Sequence, residues 1–385
     1  MTYVPMTARS RAEGHRTATS LELFFDLCFV VAIAQAGRQL VHALVEGHPG
    51  SGVVGYLFVF FGVWWAWMNF TWFASAYDCD DVPYRITTLV QIAGVLVYAA
   101  GVSRAFNEND WTVAVIGYLI MRVALTAQWL RAAAGESGAA RTAALKYAAG
   151  LLVCQAGWVA LLFAPDGWRR WLFLVLVAAE LMVPVWAEHG HQTPWHARHI
   201  AERYGLFTII VLGETIAAST VAVKSAIDEH EALGELLPIA AGGLLIVFAA
   251  WWIYFAVPVH ERLTSNREAI PWGYGHLPIF ASGAAIGAGI EVAVEHAVGT
   301  AHISQVAANA AVTVPSALFL LAVWLLHSRH FKRGVAQQLV LPLSAVALLA
   351  CTWAGSYAVL YAGLVAAGTV VAGTVLVGRT PEPAV

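Results

Sequence analysis

Charge is what this chain has least of. Charged residues make up 12% of its 385 residues, where a water-soluble globular chain carries about 25%. That shortage rules out an ordinary solvated surface. Cysteine is scarce too. Cys28, Cys79, Cys154 and Cys351 stand far apart, with no CxxC pair and no metal spacing, and read as small hydrophobic side chains. There is no P-loop, GxSxG, HExxH or suitably placed GxGxxG, so nucleotide hydrolysis and the familiar hydrolase chemistries lack support. The net charge of -3 comes without a basic tract, which leaves nucleic acid out as a partner. No cofactor is expected.

Apolar residues fill the gap. They form 59% of the chain, and the mean hydropathy is +0.68. A spanning helix needs about 20 mostly apolar residues. Twelve runs qualify, at 21–45, 52–76, 84–103, 110–131, 144–164, 168–187, 200–223, 236–258, 272–298, 307–327, 335–353 and 355–377. The last two are separated only by Trp353-Ala354-Gly355-Ser356, so a count of ten or eleven stays open. Backbone groups cannot stay unpaired in hydrocarbon, so the expected class is all-α, a polytopic transmembrane helix bundle in a lipid bilayer. Residues 1–20 read as a cytosolic tail. The run after them is too long for a signal peptide's apolar segment and carries Glu22 and Asp26, so it reads as a retained first helix.

Lys and Arg set the expected orientation. On the amino-terminal side lie Arg9, Arg11, Arg16, Arg85, Arg131, Arg141, Lys146, Arg198, Arg203, Arg262, Arg267, Arg329, Lys332, Arg333 and Arg379; on the other lie only Arg104, Arg169, Arg170 and Lys224. Fifteen against four places both termini, including the tail 379–385, in the cytosol of a cell-membrane protein. The chain also echoes itself. Trp64-Trp65 falls over Trp251-Trp252, Ala93-Gly94 over Ser282-Gly283, Trp129 over Trp324 and Glu22 over Glu202, at offsets rising from 180 to 195. Two six-helix halves in one orientation, 21–190 and 191–378, are the expected organisation.

Intramembrane charge is costly, so it marks candidate function. Glu22 and Asp26 are four apart and share a helix face. They read either as a cap at the helix start bonded to a loop Arg, or as part of a functional mouth. Asp81 and Arg85 follow span 2 in an Asp-rich loop. They read as a solvated anchor or as partners of that mouth; calcium has no EF-hand spacing to support it. His199, Glu202 and Arg203 are one-turn neighbours opening span 7. Eleven residues further, about 16 Å along the axis, Glu214 sits in an apolar run and reads as substrate-pathway, proton-relay or structural carboxyl. Span 9 carries His276, then Gly283, Gly287 and Glu291 at intervals of four, so Glu291 should face protein along a small-residue stripe. Arg122 and Glu180 are further buried charges, either of which could answer Glu214 or Glu291. The crowd of His189, His191, His196 and His199 fits no closed tetrahedral metal set; a proton port suits it better.

The segments LELFFDLCFVVAIAQ, WWAWMNFTWFASAYDCDDVPYR and HIAERYGLFTIIVLGETI, with WWIYF followed by YGHLPIFASG, resemble the bacterial low-temperature-requirement A family over nearly the whole chain. The resemblance implies a multi-pass membrane protein. It implies motif roles for Glu22, Asp26, Asp81, Arg85, His199, Glu202, Arg203, Glu214 and His276. Ala256 departs from it, since members often have an acid there.

The expected function is a secondary transporter or ion-coupled permease for a small molecule or ion, with Glu214 as its site. A membrane-embedded enzyme acting on a lipid-borne group through Glu22, Asp26 and His199 is the alternative. A structural or sensory role is a third reading, and self-association is left open.

Overall fold

The computed structural model describes residues 4–10, 16–228, 233–332 and 334–378. Arg11, Arg333, Arg379 and the tail 379–385 lie outside them. Among the described residues there are helices and no strand. In order these are α1 (Ser20–Val45), α2 (Pro49–Tyr77), α3 (Val82–Asn107), α4 (Thr112–Gly135), α5 (Gly138–Leu161), α6 (Asp166–Ala187), α7 (Ala197–Asp228), α8 (Leu233–Tyr254), α9 (Asn266–Tyr274), α10 (His276–Ala297), α11 (Gln305–Val323), α12 (Arg329–Phe331), α13 (Val335–Ala350) and α14 (Ala358–Gly378).

They supply twelve spans long and apolar enough to cross a membrane, matching the twelve apolar runs. Two spans are composite. The ninth joins α9 to α10 at Gly275. The tenth runs from α11 through a five-residue π-turn, Trp324–Ser328, into α12. The eleventh and twelfth are distinct helices. A 3-10 turn at Cys351–Trp353 ends the first, and Gly355, at φ 66°, reverses the chain. That backbone region suits glycine because it has no Cβ to clash.

Local sequence explains where helices begin. Thr19 and Glu22 form a capping box at α1: the Glu22 N–H donates to Thr19 Oγ1 at 3.3 Å, and the Thr19 N–H donates to Glu22 Oε2 at 2.8 Å. Two amides without intrahelical partners are thereby satisfied. Asp81 caps α3 by accepting from the Tyr84 N–H at 3.0 Å, with Pro83 in the first turn. Ser304 caps α11.

The chain forms two compact units, residues 1–36 with 59–204, and residues 37–58 with 205–385. In the first, Phe25, Phe70, Trp64, Trp65, Trp67, Tyr77 and Tyr84 are fully buried. Here α3 and α4 meet backbone to backbone. A Cβ on Gly94 would come within 2.9 Å of the Gly117 carbonyl, and one on Gly117 would strike the Tyr98 backbone. In the second unit, Gly289 of α10 lies against the Ala311 carbonyl of α11, and Gly242 of α8 against Val359 of α14. Gly283 and Gly287 let α10 approach α7: a Cβ on Gly287 would stand 3.1 Å from the Glu214 carbonyl. Lipid offers no hydrophobic drive between helices, so close approach through small residues supplies the attraction. Large apolar side chains such as Val153, Phe163, Trp168 and Val335 remain exposed, as suits helices facing hydrocarbon.

Gly117→Ala should destabilise the detergent-solubilised protein by about 1–3 kcal/mol through overpacking. At Gly37 nothing lies within 4 Å of an added Cβ. Gly37→Ala should be neutral or stabilising, by up to about 1 kcal/mol. Thermal melting of the two variants beside the parent checks the contrast.

Candidate functional site

The first unit gathers charge from four stretches of sequence. Glu22 and Asp26 come from the opening turns of α1, His199 and Arg203 from those of α7, Arg16 from the N-terminal segment and Asp78 from the residue after α2. Asp26, His199 and Arg203 are 0% exposed, and Glu22 is 1% exposed. Beyond its capping role, Glu22 Oε1 lies 3.1 Å from His199 Nε2, 3.0 Å from Arg203 Nη1 and 3.3 Å from Arg16 Nη2. Asp26 accepts from Arg203 Nε at 3.0 Å, from Arg203 Nη2, and from Trp67 Nε1 at 2.7 Å. Arg203 thus bridges both carboxylates of α1.

Arg16 ties the N-terminal segment to the same cluster. Its Nη2 pairs with Asp78 at 3.0 Å, while Nη1 donates to the Ala74 and Ser75 carbonyls at 3.0 and 2.9 Å. Those carbonyls belong to the last turn of α2, where helix carbonyls run short of amide partners; the Ala74 carbonyl also accepts from the Asp78 N–H at 3.2 Å. The carboxyl of Asp78 is pushed above its ordinary value, first by burial and then by the negative charge of Glu22.

Arg9 adds a third guanidinium at Asp78, its Nη1 donating to the Asp78 carbonyl at 3.4 Å and its charge acting on the Asp78 carboxyl. His199 completes the set. Its Nε2 faces Glu22, and its buried Nδ1 has no hydrogen-bond partner. Chemically, the arrangement neutralises buried carboxylates of α1 and of the residue after α2 with guanidiniums from α7 and the N-terminal segment. Among the described residues no three His, Cys, Asp or Glu side chains come together as a metal-holding group.

Comparison with known proteins places this architecture. The family model described as bacterial low temperature requirement A protein matches residues 17–376. The chain belongs to the LtrA family. It is 28% identical over 274 residues to an uncharacterized protein of Rhizobium meliloti (strain 1021), a match covering 67% of this chain and 65% of that protein. The LtrA chain therefore spans somewhat under two thirds of that relative's length.

The other candidate residues of this LtrA chain fall in separate places. Glu202 stands beside the charge cluster, where Oε1 accepts from the Ala18 N–H at 3.2 Å. Asp81 does not join the cluster. It pairs with Arg131 and accepts from the Val4 N–H at 3.0 Å. Arg85, in the first turn of α3, pairs at 2.7 Å with the exposed Asp80 of the preceding loop. In the second unit, His276 is fully buried, with Nδ1 2.7 Å from the Trp272 carbonyl and Nε2 3.0 Å from the Tyr254 hydroxyl. Glu214 and Glu291, on α7 and α10, are half-buried. Arg122 and Glu180 answer each other inside the first unit, at 2.5 Å. Glu180 is fully satisfied, also accepting from Trp65, Tyr118, Gln155 and Trp158.

Sequence reasoning missed Arg16, Asp78 and Trp67. Arg16 reads as a tail charge, and Asp78 as one acid of a loop. A usable signal existed for Trp67, since it lies in the quoted WWAWMN segment and an indole N–H in hydrocarbon needs an acceptor.

Removing one partner of a buried ion pair strands the other. Arg203→Gln should destabilise by about 3–5 kcal/mol, and adding Asp26→Asn should recover part of that loss. A double-mutant cycle read by thermal melting measures the coupling; strict additivity would contradict the pairing. A second expectation concerns pH. Hydrogen bonding from Arg131 holds the Asp81 carboxyl well below its ordinary value. Its stabilising effect is therefore present above about pH 4 and fades as pH falls toward that lowered value. Asp81→Asn, which keeps a capping oxygen, should be less stable at pH 7 by about 1 kcal/mol, with the gap closing on acidification.

Proposed function

We propose that this LtrA-family protein is a secondary transporter driven by protons or another small cation, with Glu214 as the ion-binding carboxylate and Glu291 beside it. The observation that carries this reading is the state of those two acids. Among the described residues, neither side chain has an ion pair or hydrogen bond, and the opposite charge within electrostatic range of both is Arg38. An intramembrane carboxylate held by no direct protein partner is suited to a mobile cation. Its placement supports the same reading, because Gly287 brings α10 against the backbone of α7 at Glu214. A small sliding of α10 on α7 would change what the carboxylate meets.

The contrast with the first unit favours transport over a membrane-embedded enzyme. Glu22, Asp26 and His199 are at most 1% exposed and engaged with one another or with Arg203, which leaves no open face for a lipid-borne substrate. In the transporter reading this cluster holds the ends of α1 and α7 together. The Lys and Arg bias supports cytosolic termini, and the sequence echo supports 21–190 and 191–378 as two repeats in one orientation.

The test uses proteoliposomes loaded with a pH-sensitive dye, given an imposed pH gradient and screened against a panel of small organic solutes and monovalent cations. The expected result is solute-dependent proton or cation flux that falls at least tenfold in Glu214→Gln while the melting temperature stays within a few degrees. Full flux in that variant would remove Glu214 from the site. Absence of flux across the whole panel would remove the transport reading.

A further inference from the structure

The second unit contains a cavity of about 370 Å³ at the ends of two spans, between α9 and the α11–α12 segment. That volume lies in the range of small-molecule sites, roughly 300–1,000 Å³. Three arginines line it: Arg262, Arg267 and Arg329. None of them has an ion pair with a carboxylate among the described residues. His330 adds a fourth nitrogen-bearing side chain, with Arg329 Nε donating to its Nε2 at 3.1 Å. The one acid of the lining is Glu268; it accepts from the Thr264 N–H at 3.2 Å and hydroxyl at 2.6 Å, and its charge acts at longer range on Arg262 alone of the three arginines. Ser265 adds a hydroxyl, and the rest of the wall is apolar: Leu263, Pro271, Trp272, Leu325 and Leu326.

Converging unpaired guanidiniums repel one another, and an anion relieves that repulsion. Guanidinium groups present paired N–H donors that match phosphate oxygens. The cavity lies where apolar spans end, and one side of it is greasy. Basic pockets at such helix ends suit anionic headgroups. We propose that this cavity is a binding site for a phosphate-bearing anion, held by Arg262, Arg267 and Arg329. An anionic phospholipid headgroup and free phosphate are its two sources. The apolar wall favours the lipid, since Leu325 and Trp272 can lie along an acyl chain while the arginines take the phosphate. The transport reading does not enter this argument.

The experiment uses the full-length protein in a neutral detergent, with melting followed by intrinsic fluorescence. Four probes are added separately: phosphatidylglycerol, cardiolipin, phosphatidylcholine and inorganic phosphate. Retained lipid is counted by native mass spectrometry. Phosphatidylglycerol and cardiolipin should raise the melting temperature, phosphatidylcholine should not, and the shift should shrink at high salt because the contacts are solvent-accessible. Each arginine changed to Gln should weaken binding about fivefold, and the triple variant roughly a hundredfold. Arg267→Gln alone, at an exposed position, covers the case in which the triple variant fails to fold. Glu268→Gln should tighten binding by removing the cavity's negative charge. If inorganic phosphate alone reproduces the shift, and the shift is lost in the arginine variants, the proposal stands with free phosphate as the source. Equal responses to phosphatidylglycerol and phosphatidylcholine, no response to any probe, or unaltered binding in the arginine variants would overturn it.

Discussion

A guanidinium buried among lipid-spanning helices has to be answered by carboxylates from those same helices. Arg203 sets that condition for the first unit. It is fully buried and takes Asp26 with two nitrogens and Glu22 with a third. Leaving any of these charges alone in a low-dielectric interior would cost about 3–5 kcal/mol, a large share of a domain's net stability. The first turns of α1 and α7 are thereby obliged to meet at one level, and Trp67 of α2 is drawn in to complete the shell of Asp26. Arg122 and Glu180 repeat the solution elsewhere in the unit, with aromatic N–H and O–H donors filling the remaining lone pairs.

Intramembrane charge in this protein therefore comes in two conditions. Closed clusters satisfy every carboxylate with protein donors and fix helix positions. Among the described residues, Glu214 and Glu291 are in the other condition, half-buried and answered at longer range by Arg38. A closed cluster resists change because each member would strand another. An open carboxylate can exchange partners at little cost, which is the property an ion-coupled cycle requires.

The fold was legible because lipid leaves few options. Once apolar runs of spanning length are counted, helices follow, and the twelve spans agree with the runs to within a few residues at most ends. The breaks inside spans were not legible. The π-turn at Trp324–Ser328 contains His327, whose ring lies 5.4 Å from that of His276, the residue after the joint at Gly275, and spacing along the chain does not announce that contact. In the candidate site, the spacing of Glu22 with Asp26 and of His199 with Arg203 pointed to shared faces, and the stripe Gly283, Gly287, Glu291 pointed to a helix contact. Which charge answers which was illegible. Arg122 and Glu180 are 58 residues apart and Arg203 and Asp26 are 177 apart, and pairing at such separations is decided by tertiary packing. Asp81 and Arg85 look like one loop in sequence, yet a single turn of helix sends them to Arg131 and Asp80 respectively.

The docking of Arg16 has a consequence for biosynthesis. Arg16 emerges from the ribosome six residues ahead of Glu22. The partners that complete their cluster, His199 and Arg203, follow almost two hundred residues later. At typical translation speeds of about 5–20 residues per second, the interval is roughly 10–40 s. Throughout it, α1 carries an acidic end that nothing from α7 yet neutralises. The first unit can lock only when the seventh helix arrives, so the ribosome's own timetable, and any helper that shields a half-made helix bundle, becomes part of how this protein is built.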